Sequence, residues 1–125
     1  MPLRLERIDW MPSPPLAPDD GPIDLGHLKR MTSGDPCLMR EVLALFASQS
    51  GRLLEALAAD LSGGVGLAHT LKGSARAIGA FAVADAAEAF EAAMQANEGP
   101  ADAFAALKLA VGEARAAIDL LLKRS

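Results

Sequence analysis

The chain has 125 residues, a length at which one hydrophobic core is the ordinary outcome. Twelve Lys and Arg against sixteen Asp and Glu leave a net charge of −4, a poor match to a phosphate backbone, so no nucleic-acid partner is expected. A single cysteine, Cys37, excludes an intramolecular disulfide and argues against a cysteine-built zinc site, with a reducing cytoplasm as the expected compartment. Charges or glycines interrupt every Ala-rich stretch before the roughly 18 apolar residues a bilayer span needs, and charges break the N-terminus where an export signal needs an apolar core. Neither a membrane span nor export is expected.

Residues 1–22 hold six of the eight prolines, and Pro12, Pro14, Pro15 and Pro18 forbid a regular helix between them. They read as an extended arm laid on the protein, with Leu3, Leu5, Ile8 and Trp10 as anchors. From residue 23 to 125 turn signals and helical patterns alternate, and no segment has the period-2, β-branched pattern of a strand. Asp24 is placed to cap a short helix through about Met31, which ends at Thr32, Ser33 and Gly34. Asp35 caps a second, long helix that begins with Pro36 and runs to about Leu61, through Leu38, Val42, Leu45, Phe46, Leu53, Leu54 and Leu57, with Gly51 as its weak point.

Ser62, Gly63 and Gly64 break the chain before a helix from about Val65 to Gly79, and a further helix is expected from about Ala82 to Asn97. Glu98, Gly99 and Pro100 stop and restart it, and the last helix runs from about Ala101 to Lys123. Four substantial helices with short connections predict an all-α fold, an antiparallel up-and-down four-helix bundle, with the short first helix and the arm over one end.

The third helix carries the chemistry. At roughly 100° per residue, with His69 at zero, Leu67, Leu71, Ile78 and Ala82 fall on the opposite side as a core stripe. The neighbours of His69 on its own side are Val65, Gly66, Lys72, Gly73, Arg76 and Ala80: small residues and two cations, with no acid. This predicts a bare, positively charged patch. Glycine inside a helix costs about 0.5 to 1 kcal/mol relative to alanine, so Gly73 asks for a reason, and the space it opens beside His69 supplies one. Lys72 reaches the same point and would stabilise an anion on the imidazole. A histidine is nucleophilic near neutral pH, and the set suits a phosphoryl group carried as phosphohistidine.

The run His69-Thr70-Leu71-Lys72-Gly73-Ser74-Ala75, followed by Gly79-Ala80, resembles the signature of histidine-containing phosphotransfer (HPt) domains, and the resemblance extends from Asp24 to about Gln95. It implies an antiparallel four-helix bundle with a phosphorylatable histidine on the second bundle helix. By that resemblance His69 is the phosphoacceptor, Lys72 the phosphate-stabilising cation and Gly73 the gap that admits a partner's active site. Gly79 then permits close approach of the third and fourth helices. Glu91 stands where family members often carry Gln, so a carboxylate would meet the imidazole Nδ1; it would raise the ring's basicity and repel an incoming phosphate. Gln95, one turn on, is a weaker candidate.

The resemblance further implies transfer between the aspartyl phosphate of a receiver domain and Nε2 of His69 in either direction, with Mg²⁺ supplied by the receiver and no cofactor on this chain. The partners are the receiver domains of a hybrid histidine kinase and of a response regulator. No GxxxxGK[ST] motif or other Gly-rich phosphate loop is present, so self-phosphorylation from ATP is not expected, and the chain reads as a stand-alone, monomeric, cytoplasmic phosphocarrier rather than an enzyme. A helical adaptor that binds a kinase or receiver without transfer is the alternative, against which the intact His69, Lys72 and Gly73 speak. Ile23, Leu28, Met31, Leu38 and Met39 are candidates for a small transient docking patch, and Arg76 for attracting phosphate or an acidic receiver. His27 has no Lys or Gly at matching offsets and reads as structural or merely exposed. Cys37 reads as a buried or inert thiol, Ser74 as a packing residue, and Glu88 as part of a solvated face. Two histidines without an acidic cluster make a poor metal site.

Overall fold

The computed structural model describes residues 21–124. The arm expected over residues 1–22, with its anchor Trp10, lies outside the described residues except for Gly21 and Pro22. The described chain is helical with no strand: α1 (Leu25–Met31), α2 (Pro36–Ala59), α3 (Gly64–Ile78), α4 (Phe81–Ala96) and α5 (Pro100–Arg124), with one 3₁₀ turn at Leu61–Gly63. Local chemistry sets the boundaries. The Asp24 side chain accepts from the N–H of His27, and the Asp35 side chain accepts from the N–H groups of Cys37 and Leu38, with Pro36 in the first turn where its missing N–H costs nothing. The α2 helix ends two residues earlier than expected. Asp60 turns extended there, and its carboxylate accepts from the Ser62 N–H at 3.1 Å and the Ser62 hydroxyl at 2.6 Å. That hydroxyl bond holds the Asp60 carboxyl below its ordinary range.

Helix α3 packs on α4 and α2, α5 packs on α4 and α2, and α1 sits against α3. Paired positions run in opposite order along α3 and α4. His69 and Arg76 of α3 meet Glu91 and Glu88 of α4, Phe90 of α4 meets Phe104 of α5, and Arg40 of α2 donates to the carbonyl of Leu122 on α5 at 3.2 Å. Phe90, Leu57, Leu71, Leu107, Val111 and Ile118 fill the centre and are wholly or almost wholly buried. Removing a buried aromatic such as Phe90 costs about 3–5 kcal/mol.

Several expected core positions are corrected. Leu45 is 64% exposed, and Leu43 takes the buried place beside Phe46, because the stripe of α2 runs through Leu43, Phe46, Ser50 and Leu57 at spacings of three, four and seven. Leu67 is half-buried and Ala82 exposed; Ala68, Leu71, Ala75 and Ile78 form the buried stripe of α3, and Val83 and Ala84 turn inward on α4. Ala80, expected on the His69 side, is fully buried, because the chain has left the α3 helix by that residue. Cys37 is exposed, not buried.

Candidate functional site

His69 stands on the outer face of α3, with Leu71 and Ala68 beneath it in the core. Its side chain is 72% exposed, yet one edge is held: Nδ1 lies 3.3 Å from Glu91 Oε2, while Lys72 Nζ lies 2.7 Å from Glu91 Oε1. Lys72 and Glu91 are largely covered, with side chains 15% and 13% exposed. The patch is therefore not the acid-free surface that a single-helix reading expects. Both cations of that face have an acidic partner on α4, since Arg76 Nη2 also approaches Glu88 Oε1 at 3.5 Å. A helical projection of α3 alone does not include the acids that α4 brings across.

The Lys72 ammonium beside Glu91 holds its carboxyl below the usual glutamate range; burial opposes this, and the His69 hydrogen bond adds to it. An ionised carboxylate only accepts, so its bond to the ring places the proton on Nδ1 and the lone pair on Nε2. That nitrogen faces away from the carboxylate. Glu88, Ala92 and Gln95 complete a shallow depression with His69, Lys72 and Glu91, in which Gln95 contributes an exposed part of the rim.

A Cβ added at Gly73, or at Gly66 one turn before His69, would meet nothing within 4 Å. Packing within the chain gives no reason for glycine at position 73, so its effect is on the outside, where it keeps the surface beside the ring low. Gly79 has another role than the expected one. It takes a left-handed conformation at φ +87 as the C-cap of α3, and a Cβ there would lie 2.8 Å from the Asp24 carbonyl oxygen. The close approach seen there is that of Asp24, whose N–H donates to the Gly79 carbonyl at 2.9 Å.

His27 is half-buried, its Nε2–H donating to the carbonyl of Ala77 at 3.2 Å and its ring meeting Phe81 edge-on at 5.1 Å, which fits a structural role. Of the proposed docking residues, Ile23 and Leu28 are core, Met39 is half-buried, and Met31 and Leu38 are exposed. The exposed Leu45 was missed as a surface residue. It borders a groove between α2 and α3 with Val42, Phe46, Gln49, Ser74 and Ala77, and its signal was the seven-residue spacing from Leu38, off the buried stripe. Among the described residues, no group of three or more His, Cys, Asp or Glu is placed to hold a metal ion, and no helix is long and apolar enough to cross a membrane.

Residues 41–117 match the family model described as the Hpt domain. The match takes in most of α2, then α3, α4 and most of α5, and with them His69, Lys72, Gly73 and Glu91; α1 lies before it, so it starts and ends later than the resemblance read from the sequence. No curated protein and no solved structure matches the chain.

Proposed function

The chain belongs to the Hpt domain family, and from that premise we propose that it relays a phosphoryl group between receiver domains with His69 as the acceptor. Hpt domains are phosphocarriers that act with the receiver domains of kinases and regulators, and are not themselves kinases. The observation that carries the assignment to His69 is the division of its ring: Nδ1 engaged by Glu91 and the lone pair left on Nε2, on a side chain 72% exposed. Nε2 attacks the phosphorus of an aspartyl phosphate in line, the N–P bond forms, and the acyl P–O bond breaks with its electron pair on the departing carboxylate. The reverse sequence delivers the group to a second receiver.

Lys72 supplies positive charge beside the transferred group, and Gly73 leaves room for the receiver's acidic pocket. In this reading α2 to α5 form an antiparallel up-and-down bundle, which the reversed order of the α3/α4 contacts and the meeting of the start of α2 with the end of α5 support. The bundle works as a monomer, with the His69 face left open. Arg76, with Glu88 at 3.5 Å, and Gln95 on the rim are proposed as secondary contacts of the docked receiver.

The test is incubation with a phosphorylated receiver domain, following label on the wild-type chain and on His69→Gln. Acid-labile, base-stable label that disappears in His69→Gln is the expected result. Binding without transfer from any of several receivers would overturn it in favour of an adaptor.

A further inference from the structure

Glu91 serves two groups at once, Lys72 Nζ at 2.7 Å through Oε1 and His69 Nδ1 at 3.3 Å through Oε2. A glutamine at this position would accept the same ring hydrogen bond without a charge. The difference between amide and carboxylate therefore matters most when the ring becomes positive, and phosphorylation is the step at which it does. When Nε2 takes a phosphoryl group from an acyl phosphate, the N–P bond forms and the acyl P–O electrons leave with the carboxylate. No proton moves, so Nδ1 keeps its hydrogen and the ring carries a positive charge. Loss of that proton to solvent changes the next step. The leaving group on breaking the N–P bond would then be an imidazolate rather than a neutral imidazole, and the phosphoryl group would be stranded.

Building on the reading of His69 as acceptor, we propose that Glu91 retains the Nδ1 proton of the phosphorylated ring and so keeps the phosphoryl group transferable at and above neutral pH. The carboxylate is shielded at 13% exposure and at hydrogen-bond distance from the ring, where an opposite charge favours the charged form. The surrounding charges are consistent with that role. On α3 they are Lys72, already on Glu91, and Arg76; on α4 they are Glu91 and Glu88, the latter 3.5 Å from Arg76. The groove towards α2 presents Val42, Leu45, Phe46 and Gln49 and no charge, and His27 of α1 is engaged with the Ala77 carbonyl. Replacing Glu91 by Gln leaves the ring facing an unneutralised Lys72. Glu91 is thus a positioning residue that acts through the ring and does not touch the reacting phosphorus.

The experiment labels the wild-type chain, Glu91→Gln, Lys72→Met and His69→Gln with phosphoramidate, whose P–N bond breaks with ammonia as leaving group. After removal of the donor, phosphate release is followed from about pH 5 to about pH 9. Wild type and Lys72→Met, which keeps the carboxylate on the ring, are expected to release phosphate at nearly constant rate from about pH 6 to about pH 8. Glu91→Gln is expected to match wild type near pH 5 and to be slower by about tenfold near pH 8, the factor that one pH unit of lost protonation produces. A labelled Glu91→Gln chain whose profile coincides with wild type would overturn this inference while leaving His69 as acceptor, and so would a fall in Lys72→Met near pH 8 as large as that expected of Glu91→Gln. Label persisting on His69→Gln would overturn the acceptor assignment, and this inference with it.

Discussion

The two histidines of this chain carry opposite tautomers for reasons visible in their neighbours. His27 turns Nε2–H to the Ala77 carbonyl at 3.2 Å and sets its ring edge against Phe81, so the nitrogen that could attack is occupied. His69 turns Nδ1–H to the Glu91 carboxylate at 3.3 Å and leaves the Nε2 lone pair outward. A carbonyl at the end of a helix makes one histidine a tie between α1 and α3; a carboxylate across a helix pair gives the other the tautomer that the proposed acceptor role needs. Residue type is shared, and the acceptor it faces decides the chemistry.

Exchanging each histidine breaks that contrast most severely. His69→Gln should abolish label from a phosphorylated receiver, whereas His27→Gln should keep it within about twofold, measured side by side by transfer of labelled phosphate. On the structural side, Gly79→Ala should destabilise the chain by about 2 kcal/mol, because an L-residue is strained at φ +87 and its Cβ would press on the Asp24 carbonyl that α1 depends on. Urea denaturation would read it. His27→Ala should cost about 1 kcal/mol by the same assay, the worth of one hydrogen bond, and should leave transfer from a receiver intact.

Gly73→Ala sharpens the comparison in the opposite sense. Its Cβ meets nothing, so the helix should gain about 0.5 to 1 kcal/mol, while transfer from a bulky receiver should slow and labelling by small phosphoramidate should not. A chain that is more stable and still fully active with receivers would show that the space beside the ring is not used. The smallest effect is on acid stability. The Glu91 carboxyl titrates below its ordinary value of 4.5 in the folded chain, so the folded state binds fewer protons than the unfolded one. Its contribution to stability is whole above about pH 4.5 and is lost as pH falls through the lowered folded value, a loss that Glu91→Gln should remove from the acid limb of a denaturation series. Asp60, held low by Ser62, should leave part of that limb in place.

Much of this was legible because it is local. Asp24 and Asp35 declare their helices through side chains that reach only two or three residues along the chain, and the His69-to-Gly73 spacing lies within little more than one helical turn. What escaped was carried across helices. Glu91 was placed near the imidazole by resemblance, but its closer bond to Lys72 depends on the offset between α3 and α4, which no single-helix projection contains. Gly79 could be seen to need a close neighbour, yet that neighbour, Asp24, is 55 residues away in sequence. Leu43 and Leu45 stand two residues apart, on nearly opposite faces of α2, and which of the two is buried is settled only once α3 and α5 have chosen a side of that helix.

Helix α3 is fixed at both ends. At its start a Cβ on Gly64 would overlap Leu57 Cδ2 and crowd Phe90, so this end is packed with no slack; at its finish the Gly79 carbonyl accepts from the Asp24 N–H. A helix held this way has little room to slide or tilt to meet a visitor, and the His69 ring is itself tied to Glu91 along one edge. A partner that docks here would therefore meet a face already in place, and the adjustment would fall to the partner. Hydrogen exchange should register the same asymmetry: the buried amides of α3 around Leu71 and Ala75 should open only with the whole molecule, before and after a receiver has docked.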